Sequence, residues 1–215
     1  MSSALISTSS VEVSTTLPVF KKLHEDNLLK FDSKRLVFRP LLESDFESYH
    51  LLLKQPEPMI GFGLDAMPDT HTARCWFNDL QKEIRVGIFL KTSEEKEGEL
   101  IGEAFVLKLD NQWPRVHYVF KKEHWGHGYA TEFLNAFLSV WWDLPREDKN
   151  ILVEEISLYS YERDKVCERL CAEIKVDNKA NLKVVEKAGY EFCGEVKNEN
   201  KDICAFWRII SPKKY

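Results

Sequence analysis

The stretch HWGHGYATEF (His124–Phe133) joins a strand-like run, RVHYVFK (Arg115–Lys121), to a run in which Phe133, Phe137, Val140 and Trp141 recur at helical spacing. A helix is therefore expected from about Tyr129 to Trp142, stopped by LPRED. A strand that turns through two glycines into a helix presents several main-chain N–H groups at the helix N-terminus, where the macrodipole favours negative charge. Gly126 and Gly128 permit left-handed backbone and remove Cβ atoms, so a phosphate can approach the amides directly, and Thr131 can add a hydroxyl. A tight strand–helix turn that binds nothing would use the same two glycines.

Outward from this turn the pattern stays regular. RLVFRPL (Arg35–Leu41) alternates as a strand, and Ser44-Asp-Phe-Glu47 reads as a capping box opening a helix to about Lys54. QPEPMIGFG (Gln55–Gly63), with two prolines and two glycines, reads as a loop. Asp69 or Thr70 can cap a helix to about Gln81. Ile84–Lys91, Leu100–Leu109 and Arg115–Lys121 read as a meander of strands joined by the polar turns TSEEKEGE and DNQWP. Downstream, RLCAEIKV (Arg169–Val176) is a strand, DNKANLKVVEKAG (Asp177–Gly189) a short helix closed by glycine, and YEFCGEV and DICAFWRII a final hairpin. The order β-α-α-β-β-β-α-β-α-β-β predicts an α+β or mixed α/β fold.

Two segments resist this reading. The Ser/Thr-rich opening, through about Leu17, offers little apolar surface and is expected to be a mobile tail, with residues 1–33 forming a variable, partly disordered N-terminal segment and 34–213 the folded domain. Residues 145–167 are treated as an insertion: ILVEEISLYSY reads as strand, whereas YERDKVCERL also suits a helical turn.

Composition bounds the function. The 215 residues fit one domain with an appendage, and 44% hydrophobic with 12% aromatic residues can fill a sizeable core. A net charge of −5, with basic residues interspersed among acids, argues against nucleic-acid binding. Five cysteines without a CxxC pair argue against a disulfide framework or a zinc ribbon and for a cytoplasmic, reduced setting. No run approaches the ~18 apolar residues of a membrane span. No Walker-type Gly-x-x-x-x-Gly-Lys-[Ser/Thr] or Gly-x-Ser-x-Gly elbow occurs, and GFGLDA (Gly61–Ala66) follows PEPMI, not the strand that a dinucleotide fingerprint requires. His124 and His127 lack a third ligand nearby, so no metal is expected.

VFKKEHWGHGYATEFL (Val119–Leu134), followed by AEIKVDNKANLKVVEKAGYEFCGEV (Ala172–Val196), resembles the GNAT superfamily of N-acetyltransferases, most like its ribosomal-protein-alanine and spermidine-type branch. RLVFRPLLESDF and LIGEAFV match the same branch's first and third strands, so the resemblance spans about residues 34–213, with the block 145–167 outside it. It implies the GNAT fold, a central, largely antiparallel twisted sheet of about six or seven strands with helices on both faces. It implies acetyl-CoA as donor, with the diphosphate on the amides of Trp125, Gly126, His127, Gly128, Tyr129 and Ala130. The strand near Tyr118 and Phe120 would pair with pantetheine, and Asn178 would lie near the donor. Trp125 stands where relatives carry Gln or Arg, and Asn181 where they commonly carry a serine that protonates the leaving thiolate; an amide is a poor acid.

Acetyl transfer needs an uncharged amine, stabilisation of the tetrahedral oxyanion and a proton for the thiolate. An alkyl amine is neutral in only roughly one molecule in two thousand at neutral pH, so a base or a desolvated site must supply the rest. Glu103 and His117, on central strands, are the candidate bases, each able to act through water; a solvent-facing strand glutamate and a core histidine are the alternatives. With Asn181 they form the candidate catalytic set. The acceptor is a small amine or a peptide N-terminus, attacking directly in a ternary complex. The rival is a non-catalytic acetyl-CoA-binding protein, and a further alternative is a preference for longer acyl chains. Monomer and homodimer both remain open.

Overall fold

The computed structural model describes residues 9–19, 29–79, 84–94, 96–107, 112–198 and 201–212. The strands in chain order are β1 (Ser10–Pro18), β2 (Phe31–Asp32), β3 (Leu36–Arg39), β4 (Ile84–Lys91), β5 (Glu97–Leu107), β6 (Arg115–Phe120), β7 (Arg146–Glu154), β8 (Arg169–Lys175), β9 (Glu191–Lys197) and β10 (Ile203–Ile210). The helices are α1 (Phe46–Leu53), α2 (Pro56–Phe62), α3 (Thr70–Asp79), α4 (Tyr129–Trp141) and α5 (Lys179–Lys187). All seven expected strands are present, and the fold is mixed α/β with mostly antiparallel pairing. The ends expected at Gln81 and Leu109, and part of the DNQWP turn, lie outside the described residues. The chain forms two compact units, one built from residues 20–107 and 117–141, the other from 1–19, 108–116 and 142–215.

In the first unit the strand order is β2-β3-β4-β5-β6, with β2 through β5 antiparallel. Side chains alternate between the two faces of such a sheet. On one face Leu41, Phe46, Tyr49, Leu52, Phe77 and Phe89 form a buried core beneath α1 and α3. On the other, Phe38 and Tyr118 meet Phe133 of α4, at 5.5 Å and 5.7 Å between ring centres. Helices thus cover both faces, and the aromatic seam that the sequence places on α4 is the one that it buries.

Two local expectations change and a third holds. The Ser44 capping box is replaced by a 3₁₀ turn at Glu43–Asp45, because Asp45 accepts both the Leu42 amide (2.7 Å) and the Arg39 guanidinium (2.6 Å and 3.0 Å). The charge-assisted bonds favour Asp45 over a neutral serine as the organising group. Gln55–Gly63 is not a loop, since Pro56–Phe62 is helical. Pro56 and Pro58 sit in the first turn, where N–H groups have no intrahelical acceptor, and Gly63 ends the helix with φ of 89°. Asp69 does cap α3, accepting the Thr72 amide at 2.7 Å.

In the second unit β6 begins parallel to β8, at Arg115 opposite Cys171, and β8, β10 and β9 follow in antiparallel order. Residues 1–8 and 20–28 of the expected tail lie outside the described residues, and its described part forms β1, paired antiparallel with β7 from Ser10 opposite Glu154 to Pro18 opposite Arg146. Val13, Thr15 and Leu17 are buried, and Val13 and Leu17 share a core with Ile151 and Val153. The strand-like reading of residues 151–161 therefore holds only through Glu154, and the alternating residues on β1 supply its partner. The helical-turn reading of Tyr161–Leu170 does not hold: Cys171 lies on β8 and Cys167 in the segment before it.

Candidate active site

The glycine turn is built by its own backbone. After β6 the chain makes a 3₁₀ turn at Lys122–His124, then passes through Gly126 and Gly128, whose φ angles of 77° and 79° lie in the left-handed region that L side chains avoid. The first helical hydrogen bond of α4 runs from the Glu132 amide to the Gly128 carbonyl at 3.1 Å, so the amides from Gly128 to Thr131 precede the helical ladder. Trp125 through Gly128 are exposed, and a Cβ on Gly126 would meet nothing within 4 Å, which leaves the mouth of the turn open.

Side chains then stiffen the turn. The Trp125 indole N–H donates to the Phe120 carbonyl at 2.8 Å, tying the turn back to the end of β6. Trp125 thus serves as an internal staple of the turn. His127 stacks on Tyr129 at 5.6 Å, and the guanidinium of Arg35 covers the same ring at 4.5 Å. Thr131 is half-buried in the first turn of α4.

Glu132, also in that first turn, would repel an anion. Its carboxylate is matched by hydrogen bonds from Ser33 Oγ (2.8 Å), the Arg35 amide (2.7 Å) and Arg35 Nε (2.7 Å). Burial pushes the Glu132 carboxyl up, but these bonds and the Arg35 charge outweigh it and hold the group below the ordinary glutamate range. Arg35 is the residue that sequence reasoning missed. It lies in the bend just before β3, and only the fold brings that bend to the start of α4.

On the sheet face beneath α1–α3, Glu103 and His117 occupy neighbouring strands of the first unit. Glu103 is fully buried and does not face solvent. It lies 3.1 Å from Arg85 Nε and accepts the Tyr49 hydroxyl at 2.8 Å. That hydroxyl in turn accepts from Trp76 Nε1 (3.1 Å) and Arg85 NH1 (3.2 Å), so one buried oxygen organises four side chains. Burial, reinforced by the Glu103 charge, pushes the Tyr49 phenol well above its ordinary value and keeps it a donor. His117 is half-buried and stacks on Phe105, 5.0 Å away at 15°. The tight contact of β5 with β6 depends on Gly102, where a Cβ would overlap the Val119 carbonyl oxygen.

Tyr118 and Phe120 lie on β6 as expected, their rings 6.4 Å apart, with Tyr118 turned toward α4. Asn178 and Asn181 belong to the second unit. There Asn178 caps α5, its side-chain oxygen accepting the Asn181 amide at 3.2 Å. His124, Glu99 and Glu123 present one ligand-type atom each within 4.8 Å of one another, and among the described residues His127 belongs to no such group of three. Lys121 already pairs with Glu99 at 2.9 Å, and Gln55 donates to Glu123 at 3.0 Å.

Fold and turn define the class: a mixed α/β domain whose open glycine turn links a sheet strand to a helix. The chain belongs to the GNAT acetyltransferase family, the model for its acetyltransferase (GNAT) domain matching residues 35–191. Among curated proteins, the uncharacterized protein YkkB of Bacillus subtilis is 27% identical over 165 residues, covering 74% of this chain and 83% of that protein. Among solved structures, a GNAT-family acetyltransferase from Bacillus anthracis aligns with a TM-score of 0.64 at 18% identity, over 86% of this chain and 99% of its own. Spermidine N-acetyltransferase from Vibrio cholerae, solved with CoA and spermine, aligns with a TM-score of 0.59 at 14% identity, over 83% and 96%. The aminoglycoside acetyltransferase AAC(6')-Ib, solved with ribostamycin and coenzyme A, gives 0.57 at 15%, over 83% and 94%. At these identities the likenesses establish the shared fold. Among the described residues no helix is long and apolar enough to cross a membrane.

Proposed function

We propose that this chain transfers the acetyl group of acetyl-CoA to a primary amine by direct attack in a ternary complex. The observation that carries the reading is the open left-handed turn at Gly126 and Gly128, whose following amides precede the helical ladder while Arg35 offsets the Glu132 carboxylate in the same helical turn. The residues present fit such a group: the turn has room where a Cβ is missing, and Trp125 fastens it without occupying the amides.

In the reaction the amine nitrogen attacks the thioester carbonyl, the nitrogen loses a proton to a base, and the carbon–sulfur bond breaks as the thiolate leaves and is protonated. His117 is the proposed base, through water, because its half-buried imidazole stands on the sheet face whereas Glu103 is enclosed. Glu103 acts as a positioning residue, fixing Tyr49 and Trp76 with its charge matched by Arg85. Asn181 is the proposed hydrogen-bond donor toward the thiolate, and Asn181→Ser, which introduces a hydroxyl, is expected to raise kcat.

The test is release of free CoA from acetyl-CoA over a panel of primary amines, together with calorimetric titration of acetyl-CoA. Turnover with an amine, and loss of acetyl-CoA binding in Gly128→Asp, are the expected results. Binding without turnover over the whole panel would favour a non-catalytic acetyl-CoA-binding protein, and absence of binding would end the reading.

A further inference from the structure

We infer that the acceptor amine is carried on an aromatic or bulky apolar body with a single positive charge, not on a polycation; this rests on the acetyl-transfer reading above. In the first unit the rings of Phe62, Phe105 and His117 meet three ways. Phe105 and His117 are stacked, and Phe62, the last residue of α2, stands edge-on to both, at 5.5 Å from Phe105 and 6.2 Å from His117. All three are half-buried, so each keeps ring surface beyond these contacts. The Arg85 guanidinium reaches the same group, 5.5 Å from the centre of Phe105 and 5.9 Å from that of the half-buried Trp76. The candidate base is therefore itself one face of an aromatic wall.

The carboxylate buried in this wall is already paired. A polyamine or an aminoglycoside presents several ammonium groups, and each needs a carboxylate to replace the water it leaves. The carboxylate built into the wall, Glu103, is enclosed and already engaged by Arg85 and the Tyr49 hydroxyl. A second cation would have to approach the buried Arg85 charge. Of the acids on and around the neighbouring helices, Glu57 pairs with Lys122, Asp45 with Arg39 and Glu43 with Arg74. An aromatic ring, in contrast, finds edge-on and stacked partners without desolvating further charge. A single amine that must become neutral before attack also loses less on entering such a site than a multiply charged chain does.

The experiment compares kcat/KM, from CoA release, for 2-phenylethylamine, spermidine, kanamycin and a phenylalanine-initiated dipeptide amide. 2-Phenylethylamine or the dipeptide amide is expected to exceed spermidine and kanamycin at least tenfold, and whichever of the two leads identifies the source of the aromatic amine. Preference for spermidine or kanamycin would overturn the inference. Phe62→Leu, chosen to preserve packing, and Phe62→Ala are each expected to raise KM for the aromatic amine fivefold or more with kcat little changed, their melting curves confirming that they fold; unchanged KM in a folded variant would also overturn it. If no amine is turned over, the acetyl-transfer reading fails separately. Saturation-transfer NMR then decides the wall on its own: a 2-phenylethylamine signal lost in Phe62→Leu supports it, and a spermidine signal without one from 2-phenylethylamine sinks it.

Discussion

Arg35 Nε lies 2.7 Å from Glu132 Oε2, joining the bend before β3 to the opening turn of the helix that follows the glycines. Removing the cation leaves Glu132 uncompensated at the amides proposed to hold the diphosphate. Arg35→Ala is expected to weaken acetyl-CoA binding about five- to tenfold, or roughly 1–1.4 kcal/mol. Adding Glu132→Gln to it should recover most of the loss, because the repulsive charge goes too. Isothermal titration of the three proteins at one salt concentration measures the cycle.

The same pair sets a pH dependence. The Glu132 carboxyl is held below its ordinary value in the folded chain, so the stability it contributes is whole at neutral pH. It fades as pH falls below about 4.5, where the unfolded chain's glutamate protonates first, and is lost once the folded carboxyl titrates. Urea midpoints of the native chain and Glu132→Gln should therefore differ at pH 7 and converge toward pH 3.

Gly126→Ala isolates backbone strain, because a Cβ there meets nothing within 4 Å while φ is 77°. About 1–2 kcal/mol of destabilisation is expected from the left-handed conformation alone. Gly102→Ala isolates collision instead: its added methyl overlaps the Val119 carbonyl, and parting β5 from β6 should cost about 1–3 kcal/mol. Denaturant titration of both variants, with acetyl-CoA affinity measured beside it, should show binding impaired more strongly by the first.

Glu103→Leu strands the buried Arg85 charge, a change worth about 3–5 kcal/mol. Arg85→Met/Glu103→Leu should be much less destabilised than the sum of the single variants. Tyr49→Phe removes the oxygen shared by Arg85, Trp76 and Glu103 and should cost about 1–3 kcal/mol. Chemical denaturation gives all four values, and near-additive losses would show that the pair is not coupled.

How much of this the sequence shows depends on how local the cause is. The aromatic spacing on α4, the two left-handed glycines and the cap at Asp69 are local and legible, and the structure has them where the pattern puts them. β1 was missed because Ser14, Thr15 and Thr16 mask the alternation of Val11, Val13 and Leu17, and because its partner lies far downstream. α2 was missed because its prolines fall in the one helical turn that tolerates them. The Arg85–Glu103 pair sits on adjacent strands, and its formation depends on β4–β5 register, which places Gly87 opposite Glu103 and Phe105 opposite Arg85. Nothing in a linear pattern states that register.

The first strand has a consequence for synthesis. Ser9 and Glu155, joined by a hydrogen bond, are 146 positions apart. At about 5–20 residues per second, the ribosome needs on the order of ten to thirty seconds to deliver the second of them after the first. Through that interval Val13 and Leu17 have no β7 to cover them, so the burial of this strand waits on a segment made well over a hundred residues later.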